Sequence, residues 1–149
     1  MTALLLFVHL IGIVFWVGGM AFAHFCLRPA LPLLAPPERL RLMHAVLTRF
    51  LNGVLAAALM TLASGLGIMF LAARAGAAMP WSWHAMAAIG LAMIAVFAFV
   101  RLGPYARLAR AVAAADWPAG AAALASVRKG VVVNLALGVL VVAIAVLKP

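Results

Sequence analysis

The chain reads as an all-α integral membrane protein, a four-helix bundle with both termini outward, and three observations point there. Of its 149 residues, 70% are apolar and only 9% are charged, a ratio that cannot clothe a water-soluble core in polar side chains. Four apolar runs, 3–26, 51–73, 83–100 and 130–147, are each long enough to cross about 30 Å of hydrocarbon at about 1.5 Å per residue. Eleven basic residues face only two acidic ones, Glu38 and Asp116, and the basic residues are gathered into two of the connections.

The first span is the most informative element. No charge occurs before Arg28, and the polar groups ahead of it are Thr2, His9 and His24. An imidazole in hydrocarbon is costly enough to mark a functional position. Ala21-Phe22-Ala23 imitates a signal-peptide cleavage site, but a positive leading segment is missing and the apolar run is too long, so this helix is expected to remain in the mature protein. The lone Cys26 has no internal partner for a disulfide and is expected to be a small buried hydrophobe.

Arg28, Arg39, Arg41 and Arg49 separate the first span from the second, and Arg101, Arg107, Arg110, Arg128 and Lys129 separate the third from the fourth. The other flanks hold only Arg74 and Lys148. The excess of Lys and Arg on cytoplasmic loops then places those two connections inside. Both termini and the 75–82 turn fall outside, with Trp81 and Trp83 at the outer interface of a bacterial-type inner membrane.

The connections imply one domain, 1–149. Arg28-Pro29 should end the first helix, and Pro36-Pro37 punctuates before an amphipathic lead-in, 38–48, to the second. Gly103-Pro104 should kink or interrupt the third helix, and Asp116 suits the cap of a short Ala-rich helix feeding the fourth. A histidine early in spans one and three, each followed by an Arg and Pro stop, hints at a two-plus-two repeat.

Small or polar residues recur every four positions at Gly53, Ala57, Thr61 and Gly65 in the second span, and at Gly130, Asn134 and Gly138 in the fourth. Such stripes let membrane helices approach closely. Asn52 and Asn134 each need a partner for a buried amide, most simply another helix.

Topology sorts the histidines by depth. His9 and His84 fall in the outer half, His24 and His44 toward the cytoplasmic side. Fifteen residues separate His9 from His24, roughly 22 Å of helix, too far for one metal ion. Two imidazoles at one depth on different helices suit axial ligation of a haem. Met20 and His24, four apart, add a thioether–imidazole pair that suits copper(I), with Met86 and Met93 a lesser pair. The plainer reading is that methionines pack and that a lone histidine hydrogen-bonds across the bundle. No carboxylate lies within a span, so an intramembrane Asp/Glu proton relay is excluded, and no phosphate loop, nucleophile–base set or Cys-pair zinc spacing appears. The basic loops lie beside anionic lipid, where Arg49 and Arg101 could clamp a propionate, and the positive charge is no argument for nucleic acid.

The run His9-Leu10-Ile11-Gly12-Ile13-Val14-Phe15-Trp16-Val17-Gly18-Gly19-Met20, followed by Leu27-Arg28-Pro29-Ala30, resembles the opening helix of the CopD family of copper-resistance membrane proteins. The likeness continues to Trp83-His84 and the Arg-rich third connection, and implies copper uptake or handling. The layout is also similar to the HemJ family, four-helix haem-b proteins that oxidise protoporphyrinogen, through His9, Arg49, His84 and the closing Leu147-Lys148-Pro149. That family has a lysine where this chain has Met86, so the likeness implies a haem-binding scaffold more than the oxidase reaction.

The combined expectation is a CopD-like inner-membrane protein holding a redox-active centre, with b-type haem for electron transfer ahead of copper. His9 and His84 would be the axial pair, Arg49 a propionate partner and Trp16 a pocket wall, while copper would use His9, Met20 and His24. An accessory membrane subunit without a cofactor is the remaining class. A redox partner or copper-binding periplasmic protein, and a homo-oligomer, are the expected associations beyond the bilayer. In a Cys26→Ser background, the topology predicts that Ala77→Cys is modified by an impermeant thiol reagent added outside and Ala114→Cys only after the membrane is opened. The reverse pattern would invert the assignment.

Overall fold

The computed structural model describes residues 1–147, and these form four continuous helical rods. They are α1 (Thr2–Leu33), α2 (Pro36–Arg74), α3 (Trp81–Ala113) and α4 (Trp117–Leu147), of 32, 39, 33 and 31 residues. Each is long and apolar enough to cross a membrane. The closing Lys148-Pro149, part of the HemJ-like ending, lies outside the described residues.

At 1.5 Å per residue the rods are about 46–58 Å long, well beyond the roughly 30 Å hydrocarbon thickness. The surplus length gathers at the end where the arginines are, and here the structure corrects the expected helix stops. Arg28-Pro29 does not end α1. The helix widens into a π turn at Ala23–Leu27, resumes at Arg28–Ala30 and closes in a 3₁₀ turn at Leu31–Leu33. Gly103-Pro104 likewise does not break α3, because a π turn at Arg101–Tyr105 contains it. A π turn changes the bonding pattern to i→i+5, which accommodates a proline that can neither donate nor fit the ordinary ladder. The Pro36 lead-in is continuous with α2, and the Ala-rich stretch after Asp116 is continuous with α4.

Sequential helices are antiparallel. α1 packs chiefly on α2, and α3 chiefly on α4. α4 also touches α1 and α2, and α2 meets α3 toward the basic end, whereas α1 and α3 meet little. The bundle is thus built as two tight hairpins, each with a π turn near the basic end of its first helix.

Small residues explain the tight pairs. A side chain on Gly12 would run into the Thr61 hydroxyl and the Ala57 carbonyl, and one on Gly53 would enter the Phe15 ring. Gly130 receives Val100, and Gly138 receives Val17 and Met93. The two predicted stripes are therefore the faces on which the helices meet. In lipid the solvent provides no hydrophobic drive between helices, so this backbone approach and its dispersion contacts do the packing.

Two apolar clusters are stacked along the bundle. The membrane cluster contains Trp16, Met20, Leu51, Val54, Met93 and Phe97. The second, at the basic end, draws on all four helices, through Leu31, Leu40, Met43, Leu47, Leu108 and Leu124 among others. Arg41 lies over the Trp117 ring, 5.2 Å from its centroid, and ties α2 to α4 there. Both carboxylates serve helix starts. Glu38 accepts from the Ala35 N–H at 3.4 Å, and Asp116 accepts from the Ala119 N–H at 3.0 Å.

The α3–α4 turn is closed by Ala115 N–H donating to Val112 O and Asp116 N–H donating to Ala111 O, which puts Ala115 at φ 54°. The matching turn after α2 uses Gly76, φ 68°. A non-glycine residue in this left-handed region costs about 1–2 kcal/mol. Ala115→Gly is therefore expected to stabilise the bundle by about 0.5–1 kcal/mol, after the larger chain entropy of glycine is subtracted, read as a higher melting temperature in detergent. An unchanged or lower value would show that the turn is not strained.

Candidate functional site

His9 is the best-defined polar group in the half of the bundle that carries the chain's first residues, away from the basic end. Its Nδ1 lies 2.9 Å from the carbonyl oxygen of Thr61 and 3.2 Å from the Ser64 hydroxyl. A carbonyl can only accept, so the neutral ring carries its proton on Nδ1 and shares it between these oxygens. Ser64 in turn donates to Met60 O at 2.6 Å. The imidazole lies over Gly65, where a side chain would meet its Cε1 and Nδ1 at 3.0 and 3.3 Å. The stripe on α2 thus does two jobs, bringing α1 close and leaving a bare patch of helix for the ring. What remains is Nε2 with its lone pair, in the tautomer that a carbonyl-oriented metal-ligating histidine adopts.

His84 does not join it. His84 is exposed in the first turn of α3, and α3 is committed to α4 instead of α1. The contact between α1 and α3 occurs deeper, where Trp16 and Phe97 meet edge to face with centroids 6.2 Å apart. The two imidazoles expected as an axial pair are thus on separate hairpins. Among the described residues, no group of three or more His, Cys, Asp or Glu side chains is placed to hold a metal ion.

The soft-ligand set is divided as well. Met20 is only 2% exposed within the membrane cluster. His24 sits beyond it in the π turn, edge-on to Phe25 at 4.8 Å. Cys26, expected to be buried, is exposed, because the π turn presents it on the outer surface of α1. Arg49 points away from the bundle and donates to Ala45 O of its own helix at 3.0 Å.

Trp16 does line a cavity, a central one of about 20 Å³ that also touches Met20, Phe50, Phe97 and Asn134. That is room for about one water molecule. Asn134 is 4% exposed, and its Oδ1 has no hydrogen-bond partner. Asn52 has found one, because Arg101 on α3 donates to its Oδ1 at 2.8 Å. Thr61 Oγ1 and Ser82 Oγ are also buried without a partner.

A second polar group at the basic end had not been anticipated. Tyr105 and Thr48 share a hydrogen bond of 2.7 Å, and His44 stacks on Tyr105 at 5.9 Å between centroids. With Asn52–Arg101 this makes a polar seam in which His44, Thr48 and Asn52 recur every four residues on α2. That period was readable in the sequence, whereas the partner positions, four apart on α3 across a π turn, were not. Ser64 was likewise missed, its hydroxyl resembling an ordinary small packing residue.

No family model, curated protein or solved structure matches this chain. The fold and sites define its class by themselves: a four-helix membrane bundle with an oriented imidazole in one half and a basic extension at the other.

A buried amide oxygen without a partner costs about 1–3 kcal/mol. Asn134→Leu is accordingly expected to raise the detergent melting temperature, and Asn134→Asp to lower it. A fall for Asn134→Leu would reveal a bound water or ligand on Oδ1.

Proposed function

We propose that this is a CopD-like protein of the bacterial inner membrane, with both termini outward, that uses His9 to hold a redox-active metal group, b-type haem, on the outer half of the bundle. The single observation that carries the reading is the orientation of His9. Its Nδ1–H is spent on Thr61 O and Ser64, so Nε2 is the atom left to bind a metal, and the backbone carbonyl raises its basicity. Haem bound there would supply one-electron transfer.

The arrangement supports one imidazole ligand and does not fit a bis-imidazole haem clamped inside a single bundle, because His84 faces outward on the other hairpin. Nor does the central cavity, at about 20 Å³, have room for a porphyrin. The group would therefore sit against the lipid-facing side of α1, and Trp16 would close its inner edge only if α1 and α3 separate. Copper is the second reading and is weaker here: Met20 is packed into the core, and His24 lies about 22 Å of helix from His9. Protoporphyrinogen oxidation gains no support, since the lysine of that family is Met86 and Arg49 turns away.

The deciding measurement is a reduced-minus-oxidised visible spectrum of the detergent-purified protein with metal analysis on the same sample. A Soret band that is lost in His9→Ala, in a protein of unchanged helicity, is the expected result. If His84 supplies a second axial ligand, His84→Ala converts a low-spin spectrum to a high-spin one. Stoichiometric copper without haem would transfer the proposal to copper handling. A colourless, metal-free protein unaffected by either substitution would leave an accessory subunit.

A further inference from the structure

A cavity lies at the opposite end from His9. It is an open cleft of about 500 Å³ between the end of α3 and the start of α4. Arg107 and Arg110 line it, with Asp116 at the turn and Ser126 and a wall of alanines on α4. We propose that this cleft binds the phosphodiester headgroup of an anionic phospholipid.

Four observations converge on it. Arg107 and Arg110 are three residues apart and so are neighbours on one helix surface, where like charges repel unless an anion joins them. Five other arginines have acceptors or rings: Arg39 donates to Leu31 O and Leu34 O, Arg49 to Ala45 O and Arg101 to Asn52, while Arg41 lies on Trp117 and Arg74 on Phe70. No such partner is formed by Arg107 or Arg110 among the described residues. The one carboxylate in the cleft, Asp116, is engaged at the start of α4 by the Ala119 N–H. Two guanidiniums and one carboxylate leave a charge of +1 in the cleft, which one phosphodiester neutralises.

The facing wall explains why the space exists. Ala119, Ala122 and Ala123 are too short to fill it. Ser126 turns its hydroxyl back to Ala122 O at 3.2 Å. Any longer side chain along this face would close the cleft, as Leu40 and Leu124 close the neighbouring core.

A lipid is favoured over a soluble phosphate by position. The apolar part of α3 runs directly into the cleft, and the exposed Phe99 and Leu102 lie one to two turns before Arg107. A molecule with a phosphate and acyl chains can use both. A basic pocket between helices at the headgroup level is a recurrent lipid site, and guanidinium pairs recognise phosphate oxygens through directed, charge-assisted hydrogen bonds.

The test is native mass spectrometry of the detergent-purified full chain titrated with phosphatidylglycerol, with phosphatidylcholine as the uncharged comparison. One phosphatidylglycerol should be retained in preference to phosphatidylcholine. The doubly substituted R107Q/R110Q protein should bind it about tenfold or more weakly. Both side chains are exposed, so helicity should be unchanged. Ala122→Leu fills the cleft without altering charge and should give a similar loss, whereas Arg74→Gln, at the other end of the bundle, should have no effect. Equal binding of the two lipids, or full binding by Ala122→Leu, would overturn the proposal by showing attraction to the general positive charge. Displacement of the lipid by an equal concentration of inorganic phosphate would assign the cleft to soluble phosphates and overturn the lipid reading.

Discussion

The close backbone approach of α1 to α2 is the contact on which the rest depends. Lipid chains are as apolar as leucine, so two membrane helices gain nothing from hiding apolar surface from each other. They gain from distance, and distance is set by Gly12 opposite Thr61 and by Gly53 beneath Phe15. The same approach brings His9 within hydrogen-bonding reach of a carbonyl on its neighbour. A bulkier face on α2 would lift the ring away, leave the imidazole without a partner in hydrocarbon and remove the orientation that frees Nε2.

The second hairpin uses the same device, with Gly130 against Val100 and Gly138 against Met93, and Gly138 also meets Val17 of α1. The two pairs then meet through Trp16, Phe97 and the second apolar cluster at the basic end. This division has a functional corollary. The half of the bundle away from the basic end, beyond Gly12 and Met93, contains buried Ser64 and Ser82 but no buried apolar side chain among the described residues. The basic end, by contrast, carries a core of its own and is locked by Arg41 on Trp117. Relative movement of the hairpins therefore costs least where His9 and His84 lie.

The charges divide the molecule in the same sense. With both carboxylates committed to helix starts, the basic residues have few internal anions to satisfy them. Several turn to carbonyl oxygens, an amide or an aromatic face. Arg107 and Arg110 in the cleft have none of these among the described residues and keep their donors available to phosphate. The same uneven placement of charge gives the basic end an open cleft lined by two arginines.

Much of the architecture was legible in the residues alone. Apolar runs with no buried charge require helices in a bilayer, because hydrocarbon cannot satisfy an open backbone. Thus the four spans, the two small-residue stripes and the capping role of Asp116 followed from composition and spacing. Helix ends were less legible, since proline ordinarily stops a helix, and a π turn that absorbs Pro104 depends on the neighbours that hold it. The sequence by itself also determined which polar side chains need partners: His9, Asn52, Asn134 and the arginines could be named without a structure. Only tertiary structure decided their partners. It gave Asn52 an arginine and left Asn134 without a partner for its oxygen, and it oriented His9 on Thr61 while turning His84 outward, because partnership depends on the rotation of one helix against another. That rotation is set by contacts distributed over whole faces, and no local spacing records it.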